Sequence, residues 1–202
     1  MKLYYAPGAC SLSPHIALRE AGISFTPVKV STKTHQLDGG ADFYAVNPKG
    51  YVPTLELDDG TRLTEGPAIV QYIADQAPAS QLAPANGTWA RYKLQEWLNF
   101  ITSELHKQYS PLFDSTTPEE VKSKQREKLA KRYDWIAEQL KDKDYLTGSN
   151  FTVADAYLFT VTNWAKSTGL DLSRWPVLQA YQKRVAARPY VQEAMKAEGL
   201  IK

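Results

Sequence analysis

The sequence predicts an α/β segment followed by an all-α segment. Strand and helix patterns alternate through residues 2–77, and a short stretch bounded by Pro78 and Pro84 then interrupts them. Beyond it the strand patterns stop, and helical periodicity fills residues 88–202. That shift in composition places one domain at residues 1–78, a linker at 79–86 and an all-helical domain at 87–202. At 202 residues the chain is long enough for a substantial core.

The elements follow in order. Lys2-Leu3-Tyr4-Tyr5 reads as a strand. Ser13 is the expected N-cap of a first helix, with Pro14 at its first position, Glu20 near its end and Gly22 as its stop. Residues 25–30 form a second strand, and residues 31–46 are polar, with at most a short helix. Residues 52–57 and 61–64 flank Asp58-Asp59-Gly60, a hairpin signal. Residues 66–77 are helical, with Ile69, Val70 and Ile73 on one face. In the second domain, residues 91–109 form a helix whose apolar face is Leu94, Leu98, Ile101 and Leu105. Thr152 followed by Asp155 is a capping-box pattern, with Asp in place of the usual Glu, before an apolar helix.

Composition narrows the function. The 24 basic and 22 acidic residues leave a net charge of +2, too little for a nucleic-acid surface, and the two signs are interspersed. The N-terminal apolar stretch is stopped by Pro7 and Gly8, so no secretory signal is expected. No run approaches the ~20 apolar residues of a membrane span. A single cysteine without an export signal points to the reducing cytoplasm.

Four patterns carry chemistry. Cys10, in Pro7-Gly8-Ala9-Cys10-Ser11, lies just before a helix start, where free N–H groups and the dipole favour a thiolate. Val52-Pro53 opens a strand; a cis bond would turn the Val52 peptide groups toward an extended ligand, although only ~5% of X–Pro bonds are cis. Glu65-Gly66 sits at a strand-to-helix junction, where a helix N-terminus takes a carboxylate and an acidic side chain takes an amine. Asn99, Ser103 and His106 fall on one helix face, and Glu104 points away, toward another surface such as a subunit interface. Singly, each pattern also has an ordinary structural explanation.

Together, in this order, these residues resemble the glutathione transferases, and most closely the bacterial beta class. The resemblance also rests on Asn47-Pro48-Lys49-Gly50, Glu104-Leu105-His106 and Phe151-Thr152-Val153-Ala154-Asp155, and it spans the whole chain. It implies a thioredoxin-like βαβαββα domain with a cis Val52-Pro53 bond, followed by the all-helical domain, in a homodimer. It implies glutathione as co-substrate, with no prosthetic group and no metal. Val52 would pair with the glutathione cysteinyl backbone, Glu65 and Gly66 would hold the γ-glutamyl end, and Cys10 would lie near the sulfur. Asn99, Ser103, Glu104, Leu105 and His106 would complete the site, some of them across a subunit interface. Where relatives often place a lysine for the glycyl carboxylate, this chain has His35, with Lys33 two residues earlier. A neutral imidazole binds an anion more weakly than Lys.

The implied reaction is attack by glutathione thiolate on an electrophilic, largely apolar small molecule, with Cys10 and His106 as catalytic residues. Ser11, Tyr5 and His106 are candidate donors to the thiolate. The second substrate would lie between Cys10 and the helical domain, near His106, Tyr109 and Trp164. Alternatively, Cys10 forms a mixed disulfide with glutathione in thiol–disulfide transfer or reductive dehalogenation; Cys10-Ser11-Leu12-Ser13 lacks a resolving cysteine, so that cycle needs a second glutathione. A third possibility, of another class, is a non-catalytic binding module on the same fold.

Overall fold

The computed structural model describes residues 1–202. Its contacts divide the chain into Met1–Ala83 with Ala187–Lys202, and Pro84–Ala186. The last sixteen or so residues were expected in the helical domain; they pack instead with the first unit.

The first unit is built on a five-stranded sheet in the order β3-β2-β1-β4-β5. The strands are β1 (Lys2–Tyr5), β2 (Thr26–Ser31), β3 (Gln36–Leu37), β4 (Thr54–Glu56) and β5 (Arg62–Thr64). Only β1 and β2 run parallel. The two-residue edge strand β3 is too short to leave an alternating pattern, which is why residues 31–46 read as irregular. The short helix allowed there is a single 3₁₀ turn, Phe43–Ala45. Its Phe43 packs with Tyr4 and Val30 into a small core against which Val52 rests.

Cross-strand register gathers charge on Glu56. Lys2 and Arg62 stand opposite it on its two neighbouring strands. Lys2 Nζ donates to Oε1 at 2.9 Å, Arg62 Nε to Oε2 at 2.8 Å and the Tyr4 hydroxyl to Oε2 at 3.2 Å. The hydrogen bonds from Lys2, and then from Arg62, hold its carboxyl down at about 2.

Helix α1 (Leu12–Glu20) begins earlier than expected. Ser13 is not its cap: the Ser13 hydroxyl donates to Cys10 O at 2.9 Å, and Ser11, at the cap position, makes no side-chain cap bond. Gly22, with φ of 66°, ends the helix as expected. Helix α2 (Gly66–Gln76) follows β5. After the second unit, α9 (Pro189–Ala197) returns to pack on α1, burying Val191 and Ala194. The Arg188 guanidinium grips buried Glu20 with two bonds, at 2.6 and 2.7 Å. These contacts, between residues about 170 apart, give no local signal.

The second unit holds α3 (Trp89–Phe100), α4 (Ser110–Phe113), α5 (Glu119–Leu140), α6 (Val153–Thr162), α7 (Ala165–Thr168) and α8 (Pro176–Ala186). The helix expected over residues 91–109 is not uniform. It passes from α3 into a π turn at Ile101–Leu105 and then a 3₁₀ turn at His106–Tyr109. Every residue of α6 is buried, as its all-round apolar pattern predicts. No helix is long and apolar enough to cross a membrane.

The capping box at the start of α6 is present. Asp155 Oδ2 accepts from the Thr152 N–H and hydroxyl, and Oδ1 from the Leu146 N–H and the Tyr181 hydroxyl. Burial pushes this carboxyl up to about 6, opposed by those donors.

Two stability experiments follow from these carboxylates. Asp155→Ala should cost about 2–4 kcal/mol, because it strands buried donors as well as losing a cap; an unchanged melting temperature would refute this. Glu56 has a depressed folded pKa, so its contribution is present above the ordinary value of 4.5 and fades as pH falls toward about 2. Glu56→Gln should therefore flatten the acid limb of the melting temperature measured between pH 5 and pH 2, relative to the parent chain.

Candidate active site

Cys10 lies in the turn between β1 and α1 and is partly buried. Its thiol donates to the main-chain oxygen of Val52 at 3.3 Å, and the Val52-Pro53 bond is cis. The position near the helix start favours a thiolate, but a carbonyl acceptor favours the protonated thiol and opposes it. Ser11 is fully buried; its hydroxyl accepts from Ala6 N at 3.1 Å and donates to Ala6 O at 3.2 Å, which commits the proton expected to activate a thiolate. Tyr5 is buried edge-on to His15, and burial foremost, then Glu198 and Asp38, raise its pKa. Ser11 therefore shapes the turn rather than offering it a free donor, whereas the raised pKa of Tyr5 keeps its hydroxyl protonated.

Behind the turn stands a carboxylate that sequence reasoning missed. Glu198 Oε2 accepts from Gly8 N at 2.9 Å, and Oε1 lies 2.8 Å from His15 Nδ1. Arg19 Nε donates to His15 Nε2 at 3.0 Å. Arginine is donor-only, so the His15 proton sits on Nδ1 and is donated to Glu198. Gly8 has φ of 69°, and a β-carbon there would come within 3.3 Å of the Leu200 side chain. His15 and Arg19 stand at i and i+4 on α1; the carboxylate that His15 meets lies 183 residues away.

On the other side of Val52, Asn47 knots the loop before the cis bond. Its Nδ2 donates to Tyr51 O at 2.8 Å and Thr54 Oγ1 at 3.2 Å, and its Oδ1 accepts from Lys49 N at 3.1 Å. Gly66 opens α2, and a β-carbon there would lie 3.9 Å from the Pro53 ring. Glu65, just before it, has φ of 68°, unusual for a residue with a side chain. Its exposed carboxylate pairs with Lys49 Nζ at 2.5 Å, and the same ammonium reaches Thr64 Oγ1 at 3.0 Å. Lys49 is thus a charged neighbour of Glu65.

His35 sits next to this loop. Its Nδ1 is 3.1 Å from Gly50 O, and its ring packs on Tyr44 with centroids 4.8 Å apart. A carbonyl only accepts, so Nδ1 carries the hydrogen, and Nε2 can donate to an anion only after a second proton is bound. Gly50, with φ of 69°, is required here: a β-carbon would lie 2.6 Å from Tyr44 Cε1. Lys33 lies in the exposed turn after β2. The first unit thus brings Cys10, Val52, Glu65 and Gly66 around one cis-proline turn, with His35 beside it.

The second unit splits the expected polar stripe. Asn99 and Ser103 are exposed on the helix, with the Ser103 hydroxyl donating to Asn99 O at 3.1 Å. Glu104 pairs with Arg132 at 2.6 Å. Leu105 is fully buried in the core. His106, beyond the π turn, meets the hydroxyl of Tyr157, which also lies 3.4 Å from Thr102 Oγ1. Its ring meets Trp164 edge-on at 5.0 Å, and Trp164 also contacts Tyr109 and Phe113. The Tyr109 hydroxyl is buried against that of Tyr133, 2.8 Å away; burial raises the Tyr109 pKa and pushes Tyr133 up to about 12. Tyr109 therefore offers this cluster a ring and not a proton.

The Glu198 network is testable directly. Glu198→Ala leaves the Gly8 N–H and His15 without their acceptor and should cost about 2–4 kcal/mol of stability. Chemical denaturation would register that loss, and a midpoint equal to the parent's would refute it.

The comparisons with known proteins agree across the chain. The glutathione S-transferase N-terminal domain family matches residues 8–76, and its C-terminal domain family matches residues 89–189. Glutathione S-transferase GstA of Escherichia coli O157:H7 is 53% identical over 201 residues, covering 99% of this chain and 100% of that one. A solved structure described as a ternary complex of BphK, a bacterial GST, is 57% identical with a TM-score of 0.97, covering 98% of this chain and 100% of that one. The beta-class glutathione S-transferase of Sphingomonas chungbukensis is 48% identical with a TM-score of 0.96, and each chain is covered in full (100%). With both domains matched, the chain belongs to the glutathione S-transferase family, in its bacterial beta class.

Proposed function

We propose that the cis-proline turn of the first unit binds glutathione, and that the enzyme joins the glutathione sulfur to an electrophilic, largely apolar small molecule. The observation that carries this is the convergence of Cys10, the Val52 main chain, Glu65 and the opening of α2 at Gly66. Val52 supplies main-chain groups for the cysteinyl unit. The Glu65 carboxylate and the first N–H groups of α2 suit the two ends of the γ-glutamyl zwitterion. His35, once doubly protonated, or Lys33 receives the glycyl carboxylate. The aromatic cluster of His106, Phe113 and Trp164 suits a flat apolar electrophile, and Phe113 is half exposed. His106 serves as a donor to negative charge developing on the electrophile. Asn99, Ser103, Glu104 and Leu105 complete the arrangement in a homodimer. The protein works in the cytoplasm, where glutathione keeps Cys10 reduced.

A second reading is favoured by the partly accessible Cys10 thiol on the Val52 carbonyl. There the Cys10 thiolate attacks a glutathione-containing disulfide, expelling a thiolate and leaving Cys10–S–S–glutathione. A second glutathione thiolate then releases glutathione disulfide and restores Cys10.

Retention on immobilised glutathione and turnover of an aromatic halide test the first reading; failure of both would overturn it. Cys10→Ser separates the two. Conjugation should persist at a rate within about tenfold while reduction of a mixed disulfide disappears. Loss of conjugation together with intact glutathione binding would instead assign Cys10 to the conjugation step.

A further inference from the structure

The Glu65 carboxylate already carries an ammonium group from the chain itself. Lys49 Nζ lies 2.5 Å from its Oε1 and donates to Thr64 Oγ1 at 3.0 Å. The backbone sets both ends of this pair. Lys49 N donates to Asn47 Oδ1 at 3.1 Å and Gly50 N to Asn47 O at 2.8 Å, so the turn before the cis bond fixes where the Lys49 stem begins. Glu65 is held at φ of 68° between β5 and α2, a strained conformation that fixes where its side chain departs. The pair itself is open to solvent, with the Lys49 and Glu65 side chains 47% and 70% exposed. An exposed ion pair shifts an equilibrium by about fivefold at most, so a competing cation can replace it.

We propose that Lys49 is a placeholder: it occupies the position on Glu65 that the α-ammonium of glutathione takes, and it gives way when that ammonium arrives. The role rests on the reading of Glu65 and Gly66 as the γ-glutamyl subsite given above. Charge accounts for both halves of it. The ligand's α-carboxylate docks at the start of α2, and Glu65 is the residue immediately before that start. A bare Glu65 carboxylate would repel it, and Lys49 cancels that charge until the ligand brings its own. Two ammonium groups on one carboxylate then repel each other, so Lys49 is displaced, with Thr64 Oγ1 and solvent left to receive it. The charge beside the helix start is the same before and after the exchange. Lys49 therefore acts on ligands with opposite sign. One that carries an α-ammonium has to displace it and loses affinity to it; one without keeps it and gains from it.

That opposition is the test. Dissociation constants of glutathione and of desamino-glutathione, in which hydrogen replaces the α-amine, are measured by calorimetric titration of the parent chain and of Lys49→Met. For glutathione the constant should fall by about two- to fivefold in Lys49→Met, the worth of one exposed pair. For desamino-glutathione it should rise by a similar factor. Lys49→Arg should keep both constants at the parent's values, because it restores the cation. Constants that move in the same direction for the two ligands, or that do not move, would overturn the placeholder role. Glu65→Gln separates that failure from failure of the subsite. It should weaken glutathione binding by about tenfold or more, the worth of a hydrogen bond to a charged group. An unchanged constant in Glu65→Gln would remove Glu65 from the γ-glutamyl subsite, and the placeholder role with it. A weakened one beside unmoved constants in Lys49→Met would reject Lys49 alone.

Discussion

The first unit turns on a carboxylate near the end of the chain. Glu198 accepts from the Gly8 main chain on one side and His15 on the other. It thereby ties the turn that carries Cys10 and helix α1 to the C-terminal helix. The acceptor is buried, so its partners cannot exchange it for water without cost, and the Cys10 turn inherits that rigidity. Glu198 fixes the back of the turn; Asn47 and the Cys10–Val52 hydrogen bond fix the front. A thiol and a cis-proline carbonyl are held facing each other by groups that do no chemistry themselves.

The second unit uses the same device at a different place. Asp155 gathers main-chain and hydroxyl donors from the cap of α6, from Leu146 and from Tyr181. It anchors α6, and α6 carries Tyr157, whose hydroxyl meets His106. Each unit thus holds one candidate site side chain, Cys10 or His106, through a buried polar anchor elsewhere in its own fold. The three histidines show how far partners differ: Arg19 fixes the tautomer of one ring, a carbonyl fixes that of another, and the third meets a phenol. Residue type alone would treat all three as equivalent.

Much of this was legible in the residues. The first three-residue and longer strands, the α2 start at Gly66, the hairpin at Asp58-Asp59-Gly60 and the Thr152–Asp155 cap all carry short-range signals, and each is present in the structure. The short-range failures have local causes. Ser13 read as a cap because its type and the following proline fit one, yet Ser11 and Ser13 spend their hydroxyls on Ala6 and Cys10. The helix expected over residues 91–109 assumed a uniform α-helical advance, and a π turn interrupts it at Ile101–Leu105.

By itself the sequence determined which chemistry the chain carries: a lone thiol before a helix, an acid beside a helix-opening glycine, and a histidine on a partly polar helix. Those depend on residue type and on spacings of a few residues, which helix and strand geometry translate directly. Only the tertiary structure decided the state of those groups. The carbonyl facing Cys10, the ammonium on Glu65, the carboxylate behind Gly8 and the phenol on His106 come from positions 16 to 190 residues away. Protonation and direction belong to the partner as much as to the residue, and partners at such separations meet only once the chain has folded.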